Sequence, residues 1–444
     1  MTSTCGRPLR EVSVRAVKCP DFIASFDAGR RRGTAFYRTG GGTDGEQMLA
    51  LGEAIELLST DRATVGGAAA GFFDALTDLA GTAEPDLRMV GWMAFDPGDP
   101  RPHSSDFGRC RFFVPQITVL RRGDETRAII AATGDKKPEA IWSRWCDIIE
   151  RPERHHTAAS DAGSEDGDAL RVRWPDDERF RRSVRRVIAD EAVEKVVLAR
   201  RAVVEASLPI DVAEVLRVLG RDFLSCTRFA IAAGGRTPVF VGATPERLVA
   251  IEGRKLSTMA LAGTTRCDDA DEESRRVAEQ ALVDSTKDRV EHRYVIDDIR
   301  QRLAPICKDL DVGKIPTIRR LHNVSHLETT ISARLRAGSE PAEVVDSLHP
   351  TPAVCGVPTD RARVMIREHE GFDRGPYAGT LGWIDADGNA EFDVALRCGV
   401  LDGRRATLFA GAGITADSDP EVEVAETRRK IGAIKRALAE VCRE

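Results

Sequence analysis

Residues Glu194–Arg201 read EKVVLARR, with the alternation of a half-buried β-strand. Lys195, Val197 and Ala199 share one face, while Val196, Leu198 and Arg200 share the other. A lysine at a strand end ordinarily runs its stem along apolar surface and keeps its ammonium group in water. Here its face is otherwise small and apolar. The spacing predicts a strand over 194–204, and leaves open what Lys195 is doing there.

Working outward, further strands are expected in RCRFFVPQITVL (109–120), RAIIAA (127–132), TPVFVGATP (237–245), RLVAIEG (247–253), AEFDVALRCGVL (390–401) and RRATLFAGAG (404–413). Helical periodicity marks 69–80, 272–303, 340–348, 359–370 and 420–442. SEPAEVVDSL and TDRARVMIREHEG carry N-terminal capping residues, and the second stops on Gly371. Many strands interleaved with a few long helices predict a large α+β or α/β domain. The polar, small-residue stretch 151–169 is the best linker, dividing the chain into 1–150 and 170–444.

Composition narrows the function classes. At 42% hydrophobic and 31% charged residues the chain is globular, and 444 residues suffice for a large core. A net charge of −6 leaves no basic footprint for nucleic acid or anionic lipid. No secretory h-region or membrane-length apolar run is present. The ten cysteines are scattered without C-x-x-C pairs, as expected of reduced thiols in a cytoplasmic protein.

Two helix stripes carry acids where apolar residues follow. One runs Asp288, Glu291, Val295, Ile299, Leu303; the other runs Glu423, Glu426, Lys430, Ile434, Leu438. Acids spaced three apart usually form a solvated face, but both stripes run on into core. Clustered carboxylates repel unless a cation or proton neutralises them. Oxygen ligands alone favour magnesium over zinc, provided the two helices meet.

LFAGAGITA (408–416) matches G-x-G-x-x-A from Gly411 through Gly413 to Ala416, formally a dinucleotide fingerprint and hence a nicotinamide-dependent oxidoreductase. Its context argues otherwise, because DSDP (417–420) interposes before any helix. A strand-end turn, empty or holding an anion on its N–H groups, is simpler.

In order, KVVLARR, GATPERLV, LAGTTR, KDRVEH, HLETTI, HPTPAVCGVP, GPYAGTLGW, ALRCGV, FAGAGI and VAETRRKI resemble the chorismate-utilising enzyme family, most closely its isochorismate synthases. They span about 195–440, whereas residues 1–170 match nothing specific and correspond to the family's variable N-terminal part. The resemblance implies a single sandwich of two large antiparallel sheets enclosing helices. It implies Mg²⁺-dependent conversion of chorismate to isochorismate, in which water adds at C2 and the C4 hydroxyl leaves.

By the same resemblance Lys195 is the general base, its proton loosened by a dry face, and Glu246 is the acid that protonates the departing hydroxyl. Without it, Glu246 would read as a first-turn glutamate after a Thr244 cap and a Pro245 start. Glu291 and Glu426 match magnesium ligands, with Asp288 and Glu423 beside them. Gly263 and Thr264 match backbone that holds the ring carboxylate. Tyr377, Arg397 and the Gly411–Ala412–Gly413 turn match the clasp on the enolpyruvyl carboxylate. Lys430, His326 and Ala353 complete the substrate set; alone, Lys430 would be an i, i+4 partner of Glu426 and His326 a core histidine.

Within the family, Lys195 argues against amination, and Pro352–Ala353–Val354 favours the synthase over a salicylate synthase, which would go on to eliminate pyruvate. The expected partner is the small molecule chorismate, with neither nucleic acid nor membrane, and the chain is expected to be a monomer.

Overall fold

A computed structural model describes residues 9–41, 45–57, 64–77, 84–100, 106–152, 170–190, 192–235, 238–266, 271–320 and 324–443. Most of the linker expected at 151–169 lies outside these residues. The chain opens β1 (Leu9–Ala16), α1 (Phe22–Arg30), β2 (Ala35–Thr39), β3 (Gln47–Leu57), α2 (Val65–Thr77), β4 (Arg88–Met93), β5 (Cys110–Arg122), β6 (Glu125–Thr133), α3 (Pro138–Glu150). It continues β7 (Leu170–Arg173), α4 (Asp177–Ile188), β8 (Lys195–Ala206), α5 (Val212–Asp222), β9 (Thr227–Ala232), β10 (Val239–Thr244), β11 (Arg247–Glu252), β12 (Lys255–Arg266), α6 (Glu272–Asp284), α7 (Thr286–Leu303). It ends β13 (Cys307–Val312), β14 (Thr317–Arg320), β15 (Val324–Leu335), α8 (Pro341–Leu348), β16 (Gly356–Val357), α9 (Thr359–His369), β17 (Thr380–Asp385), β18 (Ala390–Val394), β19 (Cys398–Asp402), β20 (Arg405–Ile414), α10 (Pro420–Val441).

All the recorded strand pairings are antiparallel, and they form two wings joined through β3 and β5. One wing runs β1–β6–β5–β3–β2–β9–β10–β19–β20–β8, with β7 and β16 on β8. The other leaves β5 through β4–β17–β18–β11–β12–β15, where β13 and β14 share the last strand. Strand β5 pairs β6 along Ile117–Arg122 and β4 along Cys110–Phe113, so one long strand serves both wings. The turn between them is built locally: the β3–β5 register slips between Glu53 and Ile55, opposite Pro115. Gly52 there has φ +63°, a left-handed conformation that costs glycine little.

One apolar core takes residues from both wings (Phe229, Phe240, Val249, Phe392) together with α2, α4, α7, α8 and α9. A second core packs α1, α3, α5 and most of α10 on the first wing. Buried Arg38 of β2 ties the wings directly, donating to Asp393 of β18 at 2.8 Å and pairing with Glu391 at 2.8 Å.

Several boundaries differ from the sequence expectation. The helix expected over 272–303 breaks at Ser285, whose hydroxyl caps α7 by accepting from Asp288 N–H. The strand expected over 390–401 breaks at Arg397, where φ is +48°. Glu340, through a capping box with Glu343, starts α8, and Pro358 stands at the cap of α9; Ser339 and Thr359 do not fill those roles. Gly371, φ +71°, follows the end of α9 as expected.

Candidate active site

Strand β8 sends Lys195 inward, where its side chain is 1% exposed and its Nζ lies 2.7 Å from Glu291 Oε1 of α7. The lysine thus sits inside the molecule as an ion pair, where a lone amine on a dry face had been expected. An added Cβ on Gly413 would lie 2.8 Å from Lys195 Cε and 3.1 Å from Glu291 Oε1, so this contact exists because residue 413 has no side chain.

Glu246 lies on the two-residue link between β10 and β11, not on a helix. Its N–H donates to Thr244 Oγ1 at 3.2 Å, and its carbonyl accepts from Val394 N–H at 3.0 Å. The side chain is buried. Loss of hydration raises its carboxyl to about 7 against the partial opposition of Lys195 and Arg397, so near neutrality much of it keeps its proton.

The left-handed turn at Arg397 separates β18 from β19 and brings its guanidinium into the same cavity, while its carbonyl accepts from Ala243 N–H at 3.1 Å. Its Nη2 lies 3.5 Å from His326 Nε2. On the far side of that ring, Nδ1 lies 2.9 Å from Thr264 Oγ1 and 3.2 Å from Gly263 O. A carbonyl only accepts, so Nδ1 carries the hydrogen and Nε2 faces Arg397 as an acceptor. Burial, then the charges of Arg397 and Lys430, push His326 down to about 3, keeping the ring neutral. Gly263, φ +75°, occupies the bulge between Ala262 and Thr264 in the β12–β15 pairing and packs beside Asp288.

Helix α10 begins at Pro420, where Asp419 caps it. Lys430 pairs with Glu426 at 2.6 Å and donates to Gly411 O at 3.0 Å. Burial pushes Glu426 up, but Lys430 outweighs it and the carboxyl is held below its ordinary value. The glycines 411 and 413 are not in a turn. They lie within β20, paired opposite Ala199 and Val197, and no helix follows them directly, so the dinucleotide geometry is absent.

Together these groups line one cavity of about 280 Å³. Lys195, Glu246, Gly263, Thr264, Asp288, Glu291, His326, Ala353, Arg397, Gly411, Gly413, Glu423, Glu426 and Lys430 all reach it. Two expected residues stand behind its wall. Ala412 points into the apolar core, and Tyr377 stacks on Phe409 at 5.2 Å with its hydroxyl next to Gly411. Val197, Pro245, Leu261, Leu396 and Val422 supply apolar lining that the sequence reading missed. Each sits within three residues of a polar site residue, which is the one signal that could have found it.

A buried pair braces this wall from outside. Arg374 pairs with Glu370 and donates to Val197 O (2.7 Å) and Val354 O (2.9 Å), while Glu370 accepts from Ala199 N–H (2.7 Å). The edge of β8 next to Lys195 is thereby fixed.

The acids of α7 and α10 approach this cavity from two elements, and all four donors are carboxylates, the set that suits a hard cation. Among the described residues no three His, Cys, Asp or Glu side chains converge as ligands. Two of the four acids instead hold the ammonium groups of Lys195 and Lys430.

Residues 9–439 match the family model described as chorismate binding enzyme. The salicylate biosynthesis isochorismate synthase of Pseudomonas aeruginosa is 37% identical over 362 residues, covering 80% of this chain and 75% of that protein. The isochorismate synthase MenF of Bacillus subtilis is 38% identical over 251 residues, covering 56% of this chain and 53% of its own length. The solved structure of MenF, the menaquinone-specific isochorismate synthase of Escherichia coli, superposes with a TM-score of 0.78 at 26% identity, covering 98% of this chain and 96% of that one.

Proposed function

The chain belongs to the chorismate-binding enzyme family, and from that membership we propose that it is an isochorismate synthase, an isomerase that adds water at C2 of chorismate and expels the C4 hydroxyl. The observation that carries the residue assignment is a buried acid whose proton persists to about pH 7, lining the same cavity as a buried lysine.

The substitution needs a proton removed from water on one side of the ring and a proton given to hydroxide on the other. Glu246 arrives protonated and acts as the acid. Lys195, reaching the cavity beside Glu291, acts as the base. Arg397, held by the turn at its own backbone, presents a planar pair of donors to a substrate carboxylate. Neutral His326 accepts from Arg397 and fixes that fork. Gly411 leaves room at the wall in front of Tyr377, and Lys430 adds a positive charge there. Apolar Val197, Leu261 and Leu396 exclude water from the ring. The chemistry a bound Mg²⁺ would supply, held by Glu291 and Glu426 with Asp288 and Glu423 beside them, is neutralisation of these acids and of the substrate's ring carboxylate.

Variants of the three roles test this reading. Lys195→Gln and Glu246→Gln should each fold and lose at least about a hundredfold in chorismate turnover, the usual scale for a proton-transfer group. Glu291→Gln should shift the magnesium titration to higher concentration. Near-normal turnover in either of the first two would remove that residue from its role.

A further inference from the structure

We propose that the outer face of α7 carries a second binding site, a groove that takes a small aromatic or cyclic carboxylate. The inner face of this helix supplies Asp288 and Glu291 to the catalytic cavity. Arg289, Arg293 and Arg300 recur at spacings of four and seven, so they form a separate stripe on the same helix. They line a groove of about 610 Å³, against about 280 Å³ for the catalytic cavity. Lys314, from the connection between β13 and β14, lines it as well.

Some guanidinium groups of this molecule are held by carboxylates, as in Arg374–Glu370, Arg38–Asp393 and Arg320–Glu279. Arg289, Arg293, Arg300 and Lys314 have no ion-pair partner among the described residues, and Asp297 is the one acid among the groove's lining residues. A chain of net charge −6 thus leaves four cations unmatched around one concavity.

The floor decides the ligand class. Ile296, Val312 and Pro316 form it, with exposed Val290 at the rim. An inorganic anion would satisfy the arginines and leave this surface in water. A neutral ring would cover the floor and leave the cations without a counter-charge. A ring bearing a carboxylate answers both, because the guanidinium fork takes the two oxygens and the apolar floor takes the ring. The groove is separate from the catalytic cavity, so this inference stands or falls independently of the activity.

Calorimetric titration of the full chain with benzoate tests it, with benzyl alcohol and inorganic phosphate as controls. Benzoate should bind at one site, and Arg293→Gln combined with Arg300→Gln should weaken it by about tenfold or more. The same double variant should turn over chorismate normally, and Arg397→Gln in the catalytic cavity should leave the groove's benzoate binding in place. Three results would each overturn the proposal: no benzoate binding at millimolar concentration, equal binding by the double variant, or phosphate binding as tightly as benzoate.

Discussion

Lys195 on β8 and Glu246 on the β10–β11 link, the proposed base and acid, reach one cavity, and Glu246 can be examined without any substrate. In the folded chain its carboxyl keeps its proton to about pH 7, against an ordinary value of 4.5, because burial disfavours the charged form. Between those values the folded state holds more protons than the unfolded one, so this group makes stability fall as pH rises. Glu246→Gln has no proton to lose. The unfolding free energy of the parent minus that of the variant should therefore decline from about pH 4.5 to about pH 7 and level off above. A pH-independent difference would mean that burial does not hold the proton. That Lys195 and Glu246 belong to one site was legible through short motifs around each residue. The ion-pair partner of Lys195 was not, since the Lys195–Glu291 contact joins positions that share no local pattern.

At the scale of elements, the site depends on places where regular structure stops. The two-residue link at Pro245–Glu246, the left-handed Arg397 and the break at Ser285 each aim a functional side chain. Hydrophobic periodicity runs across the last two, and for that reason the sequence reading merged the strands around Arg397 and the helices around Ser285. The glycines of β20 show the converse. Their spacing suggests a turn, but pairing to β8 along Gly411–Ile414 keeps them extended, and their value is the space they leave. Gly413→Ala tests this. The backbone there needs no positive φ, so the fold should persist, while the added methyl should displace Lys195 and lower turnover by about tenfold or more. Unchanged turnover would show that the lysine has room to spare.

For the whole molecule, the alternation of individual strands was readable, and the resemblance supplied the sandwich. The joining of its sheets through β3 and β5 was not readable, because a bulge and a single positive-φ glycine leave the binary pattern intact. Arg38 bridges the wings in a buried setting, and removing one partner from such a pair costs roughly 3–5 kcal/mol. Arg38→Ala should lower the denaturant midpoint accordingly, and a loss below about 1 kcal/mol would show that the cores alone hold the wings together.

The central claim is the reaction itself, and chromatography with mass detection on the purified chain incubated with chorismate and Mg²⁺ tests it most directly. The account predicts a stable mixture of chorismate and isochorismate, with no salicylate or pyruvate above the uncatalysed background. Stoichiometric salicylate and pyruvate, or chorismate left unchanged, would contradict it.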